Sequence, residues 1–253
     1  MSRALGYTYR RGVMDNTLRD KNALVIGGTS GIGYRLAQAL LQESVSVVIQ
    51  GRTNSELVEA LCSQGNAGGF ICDLQESAYL EELCRYAEAA DMLCVAYGPF
   101  LQKPLDSTTA EEWQRIVYAN LTLPGMLISS ALVGMKKRKW GRILLFGGTE
   151  TQILRGFKTT AAYGAAKTGL MTLVRSISME YAVYGITANA ICPGFTDSGL
   201  LPEELRIAWA KKNPDGELVS SKTVTDAALF LLKNRTYNGI LMPIDKGWSS
   251  FYN

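Results

Sequence analysis

The chain has 253 residues, enough for one large α/β domain with a sizeable core. Its formal charge of +3 is slight, so bulk electrostatics point to neither a nucleic-acid nor a membrane partner. It contains no histidine, which excludes a Ser-His-Asp triad, a histidine-ligated metal and a histidine general base. Any proton-transfer group must be Tyr, Lys, Asp, Glu or Cys. The five cysteines, Cys62, Cys72, Cys84, Cys94 and Cys192, are scattered and never spaced Cys-x-x-Cys. That pattern predicts reduced thiols, a cytoplasmic setting and no metal site. Cys72, Cys94 and Cys192 read as buried small hydrophobes near strand ends. No stretch reaches the apolar length of a membrane span.

Residues 1–21 show no clear period and carry Arg3, Arg10, Arg11, Arg19 and Lys21. They read as an N-terminal arm, either flexible or packed on a neighbouring subunit, with no signal-peptide pattern. From residue 22 to 253 strand-like and helix-like segments alternate. Strands are expected near 23–26, 45–50, 69–72, 91–96, 142–146, 187–191 and 239–244. Helices are expected near 31–42, 54–63, 76–89, 108–136, 159–183, 202–212 and 224–233. Apolar runs separated by amphipathic helices predict a three-layer, doubly wound parallel sheet of about seven strands in one Rossmann-type domain, with its site at the carboxyl ends of the strands.

Leu24-Val25-Ile26 is a short apolar run, followed by Gly27-Gly28-Thr29-Ser30-Gly31-Ile32-Gly33 and then by Leu36, Leu40 and Leu41 at helical spacing. Strand, glycine turn and helix in that order build a dinucleotide site, because glycines allow the backbone to approach a pyrophosphate at a helix N-terminus. Tyr163 and Lys167, in Tyr-Gly-Ala-Ala-Lys, fall one turn apart on one helix face. A phenol beside an ammonium is a means of lowering a tyrosine pKa from ~10 toward neutrality. Trp113, Ile116, Val117 and Asn120 share a buried face, so the Asn120 amide needs partners. Pro124 cannot donate to the Asn120 carbonyl four residues earlier.

With these motifs in place, the chain from about residue 22 to 250 resembles the short-chain dehydrogenase/reductase family. Gly27-x-x-x-Gly31-x-Gly33, Asp73-Leu74, Ile191-Cys192-Pro193-Gly194 and Ile244-Asp245-Lys246-Gly247-Trp248 carry the resemblance beside the Tyr163/Lys167 pair. It implies cofactor contacts along Gly27, Thr29, Ser30, Gly31, Ile32 and Gly33. Further contacts are implied at Arg52, Asp73, Leu74, Ala96, Gly98, Pro193, Gly194 and Thr196, and at Tyr163 and Lys167 themselves. Asn120, Tyr163 and Lys167 are implied as catalytic residues, with a water on the Asn120 carbonyl linking Lys167 to solvent. After the second strand the chain has Gly51-Arg52-Thr53 and no carboxylate, so a 2′-phosphate is favoured and NADP(H) is expected over NAD(H).

Two departures stand out. Val95-Ala96-Tyr97-Gly98 replaces the usual Asn-Asn-Ala-Gly, which could turn Tyr97 toward a substrate. Gly148 occupies the position of the family's catalytic serine, in a segment about two residues longer than is common. Thr149 is the expected substitute, with Thr151 next. The implied activity is hydride transfer between nicotinamide and a carbonyl or secondary alcohol. The alternative is a non-catalytic NADP-binding sensor or assembly subunit. Residues 197–223 are expected to cover the substrate, with Leu201, Leu205, Ala208 and Trp209 as an apolar stripe. A homodimer or homotetramer is implied, built on the two long helices with Leu173 and Ile177 on an outer face. Neither nucleic acid nor membrane is expected as a partner.

Overall fold

The computed structural model describes residues 18–53, 55–199 and 201–248; most of the expected arm lies outside the described residues. Among the described residues nine strands form: β1 (Asn22–Ile26), β2 (Ser46–Gly51), β3 (Ala67–Ile71), β4 (Met92–Val95), β5 (Gly141–Phe146), β6 (Ile186–Pro193), β7 (Thr196–Asp197), β8 (Val219–Ser220) and β9 (Leu241–Ile244). Eight α-helices alternate with them: α1 (Gly31–Gln42), α2 (Ser55–Cys62), α3 (Leu80–Ala89), α4 (Ala110–Val117), α5 (Leu123–Arg138), α6 (Ala161–Glu180), α7 (Glu203–Ala210) and α8 (Ser221–Lys233). Seven strands make one sheet in the order β3-β2-β1-β4-β5-β6-β9, every pair parallel. β7 and β8 pair separately, also in parallel.

The layering follows from the period-two alternation of side chains along a strand. Leu24, Ile26, Leu93, Val95, Ile143 and Leu145 enter one core with Leu83, Leu127 and Val174, from α3, α5 and α6. Ala23, Val25, Met92, Cys94, Leu144 and Phe146 enter the opposite core with Leu36, Leu40 and Leu231, from α1 and α8. The sheet is therefore largely apolar on both faces, with a few buried polar side chains such as Gln50, Arg142 and Asn189. Leu18 is 1% exposed within the second core, and the Asp20 N–H bonds to the Ser44 carbonyl at 3.1 Å. Residues 18–21 are thus folded onto the domain.

The segment expected as one helix over 108–136 is interrupted. α4 and α5 are joined by a π-helical turn at Tyr118–Thr122, and the Leu123 N–H reaches back to the Tyr118 carbonyl. Pro124, which lacks an N–H for the Asn120 carbonyl, stands just after it. The joined helix, Ala110–Arg138, is long and apolar enough by composition to cross a membrane, contrary to the reading that no such stretch exists. Half of its most apolar window is buried inside the domain, where Leu123, Leu127, Ala131 and Met135 build the core. Ile177, expected on an outer face, is buried, and Leu173 packs on the core; Met126, Val133 and Met179 are the exposed apolar residues of α5 and α6. α7 buries none of its residues, so its expected stripe is not a core-packing face.

One side chain ties the glycine turn to the sheet. Gln50 is buried at the end of β2, donating to the Gly51 and Cys72 carbonyls at 2.9 Å each and accepting from the Gly27 N–H at 3.3 Å. A lone amide in the run Val47-Val48-Ile49-Gln50 was the available sequence signal. Removing it strands buried polar groups, each costing about 1–3 kcal/mol. Gln50→Ala should therefore lower the urea-unfolding free energy by about 2 kcal/mol, and a loss below about 0.5 kcal/mol would contradict this role.

Candidate functional site

The turn after β1 is shaped by close approach. Gly27 (φ +78°) and Gly31 (φ +50°) occupy the left-handed region that favours glycine. A Cβ at Gly33 would run into the Gly27 carbonyl, and one at Gly27 would stand 2.9 Å from the Tyr97 backbone nitrogen. α1 starts at an extended Ser30 whose side chain makes no capping bond, and no acidic residue lies in its first turn. The positive end of this twelve-residue helix is left uncompensated by the chain, as an anion site requires. Ile32 packs on the α1–α8 core. Thr29 is buried against Gly51, where any Cβ would collide with it. Arg52 follows, exposed and without an ion pair among the described residues. Ser198 approaches Gly31 from the far side of the turn.

The other expected cofactor residues gather at the same strand ends. Asp73 accepts the Gln75 N–H at 2.9 Å, and Leu74 is buried beside it. The Ala96 N–H bonds to the Ile26 carbonyl, extending β4 alongside β1. Pro193 ends β6; Gly194 donates to the Ile244 carbonyl and leaves no room for a side chain against Asp245. Thr196 donates its hydroxyl to the Gly194 carbonyl at 3.0 Å.

Asn120 and Lys167 converge on the bare backbone of Gly98. A Cβ there would lie 2.5 Å from Asn120 Oδ1 and 2.7 Å from Lys167 Nζ. Asn120 is fully buried in the π turn and donates Nδ2 to the Pro99 and Ile116 carbonyls at 3.0 and 3.1 Å. Its Oδ1 is buried with no partner among the described residues, so it can accept a hydrogen bond from water or ligand. Lys167, 3% exposed, donates to the Phe146 carbonyl at 2.7 Å.

Tyr163 lies on the neighbouring glycine. A Cβ at Gly148 would stand 2.7 Å from the Tyr163 hydroxyl. Phe100 meets the Tyr163 ring edge-on, at 5.1 Å and 75°. Gly148 is thus not a deleted serine leaving a gap: the tyrosine occupies the space. Of the two threonines, Thr151 is buried and committed. Its hydroxyl accepts the Gly148 N–H at 2.9 Å and bonds the Gly148 carbonyl at 3.0 Å. Thr149 is half-buried, and its hydroxyl makes no hydrogen bond among the described residues. The longer loop is braced by Glu150, in the left-handed region at φ +55°, which pairs with Arg155 at 2.7 Å. Arg155 lies over the Phe157 ring, which fills the space above Gly164. This brace was hidden in the sequence, because no local spacing marks an ion pair across a loop. Tyr97 is partly buried and packs against the first of the two cores. Trp209 packs on Phe195, at 5.6 Å between rings.

The electrostatics differ from the simple expectation for the pair. Burial pushes the Tyr163 pKa above its usual 10, with a smaller contribution in the same direction from Cys192. Burial likewise pushes Lys167 down to about 8 from 10.5. The ammonium is aimed at Phe146 and lies 5.9 Å from the Tyr163 ring centre, and desolvation of the phenol outweighs its field. The protein alone therefore holds Tyr163 as a protonated acid. The Lys167 shift has a consequence for stability. Between pH 8 and 10.5 the unfolded chain keeps the Lys167 proton and the folded chain sheds it, so stability rises with pH. The raised Tyr163 opposes this only above its unfolded value of 10. Relative to Lys167→Met, the cofactor-free protein should gain about 2 kcal/mol of unfolding free energy between pH 8 and 10, measured in urea. Parallel pH profiles would contradict the buried ammonium.

The comparisons with known proteins agree with this geometry. The family model for short chain dehydrogenase matches residues 21–206. D-beta-hydroxybutyrate dehydrogenase of Cupriavidus necator is 30% identical over 256 residues, covering 91% of this chain and 98% of its own. The 3-oxoacyl-[acyl-carrier-protein] reductase of Buchnera aphidicola is 28% identical, covering 85% of this chain and 90% of its own. Among solved structures, actinorhodin polyketide ketoreductase with NADPH superposes with a TM-score of 0.79 at 25% identity, covering 90% of this chain and 96% of its own. With its glycine turn, its Tyr163/Lys167 pair and its parallel sheet, this chain belongs to the short-chain dehydrogenase/reductase family of oxidoreductases.

Proposed function

We propose that the protein is an NADP(H)-dependent oxidoreductase acting on a carbonyl or secondary alcohol, with Tyr163 as the general acid and base. The observation that carries this reading is the convergence of Tyr163, Lys167 and Asn120 on the bare backbones of Gly98 and Gly148. When bound, NADPH supplies the hydride. The uncapped start of α1, with Thr29, Ser30, Gly31, Ile32 and Gly33, fits its pyrophosphate. Arg52 fits a 2′-phosphate, being exposed at the end of β2 and free of a carboxylate partner among the described residues. Asp73, Leu74, Ala96, Gly98, Pro193, Gly194 and Thr196 border the rest of the groove.

Tyr163 delivers its proton to the oxygen that gains charge during reduction. Its raised pKa keeps that proton in place across the working pH range. Lys167 offers an ammonium to the nicotinamide ribose hydroxyls and, from there, a positive field to Tyr163. Asn120 holds a relay water for reprotonation. Thr149, the open hydroxyl on the loop, takes the oxygen-polarising part that a serine would play. We also propose a reduced, cytoplasmic setting, and a homo-oligomer that covers Met126, Val133 and Met179.

Three substitutions test this. Tyr163→Phe should lower carbonyl reduction by about 10²–10⁴-fold while leaving NADPH affinity within about twofold; unchanged turnover would favour a non-catalytic nucleotide-binding protein. Arg52→Glu should weaken NADPH about 10–100-fold in a fluorescence titration and improve NADH; equal loss of both would remove the phosphate assignment. Gly148→Ser should reduce turnover, because its Cβ meets the Tyr163 hydroxyl at 2.7 Å. A gain in rate would mean that Tyr163 moves aside without cost.

A further inference from the structure

We propose that this site takes an uncharged carbonyl compound bearing a ring or other flat apolar group next to the carbonyl, and that Phe100 is the surface on which that group lies. The inference rests on the oxidoreductase reading and narrows it.

Phe100 is 56% exposed, yet its ring touches the ring of the proton donor. A single exposed phenylalanine means little on a protein surface. This one differs because both flanks of its loop are fastened. Asn120 Nδ2 holds the Pro99 carbonyl at 3.0 Å on one side. On the other, the Lys103 N–H bonds to the Thr159 carbonyl at 2.6 Å, and the Lys103 ammonium pairs with Glu112 at 2.9 Å. Glu112 itself closes the capping box at the start of α4. The ring is therefore presented in a fixed place beside Tyr163, with about half its surface still able to bury a partner. A flat group on the substrate would cover that face in an offset or edge-on arrangement.

Charge points the same way. A substrate carboxylate needs a cation near the acid that protonates its neighbour. Arg155, in the loop beside Tyr163, is already paired with the buried Glu150 at 2.7 Å. Lys103 is paired with Glu112, and Lys167 is only 3% exposed, with its ammonium on the Phe146 carbonyl. The Tyr163 hydroxyl also lies against the side-chain-free backbone of Gly148. Of these three cations two are paired with carboxylates and the third is buried, so none presents an exposed, unpaired charge to a substrate carboxylate.

The test compares NADPH-dependent reduction of acetophenone, butanone and acetoacetate by the wild-type protein, Phe100→Ala, Phe100→Tyr and Tyr163→Phe. Acetophenone should be reduced with a kcat/KM at least about tenfold above acetoacetate. Phe100→Ala should lower the acetophenone-to-butanone ratio about tenfold, and Phe100→Tyr should retain it. A preference for acetoacetate, or an unchanged ratio in Phe100→Ala, overturns the substrate class and leaves the oxidoreductase reading standing. No Tyr163-dependent oxidation of NADPH with any of the three compounds overturns both.

Discussion

The site depends on two places where a strand ends in backbone without side chains. Gly98 after β4 and Gly148 after β5 let three side chains from two different helices come within contact of the sheet. Lys167 and Asn120 press on the first, and Tyr163 presses on the second. A methyl group at either glycine would meet a polar atom at 2.5–2.7 Å. Lys167 is buried and Tyr163 partly so, and desolvation drives their pKa values in opposite directions.

Around this centre the fold supplies rigidity in proportion to need. The sheet is buried on both faces and sets where the strand ends lie. Gln50 then fixes the glycine turn, the π turn fixes Asn120, and the Glu150–Arg155 pair fixes the loop that carries Thr149. The 197–223 segment is held differently. Lys246, which adopts φ +56°, pairs with Asp215 and Glu217 at 2.6 and 2.9 Å. These are partly exposed ion pairs, each worth little on its own. That segment is accordingly fastened in part by interactions weaker than those at the strand ends.

Much of this was legible in the sequence. The alternation of apolar runs and amphipathic helices gave the seven strands and their layering, because a parallel sheet covered on both faces has few other patterns. The glycine turn and the Tyr163/Lys167 spacing were local, so they could be read without tertiary information. Features set by the conformation of a loop or by contacts between distant segments could not be. The commitment of Thr151 to Gly148, the pairing of Glu150 with Arg155, and the contact of Phe100 with Tyr163 each need the folded chain. The expectation that Lys167 would depress the Tyr163 pKa failed for a related reason. Helical spacing places two residues on one face, but it says nothing about burial or about the carbonyl of Phe146 competing for the ammonium.

The central claim is that the protein alone holds Tyr163 as a desolvated acid, which the bound oxidised cofactor tunes. The most direct measurement is the phenolate absorbance of Tyr163, taken as the difference between wild type and Tyr163→Phe across pH, with and without NADP⁺. The account predicts titration above the ordinary value of 10 in the free protein, and a clear fall when NADP⁺ binds. Titration at or below 10 in the free protein, or no change on binding, would contradict it.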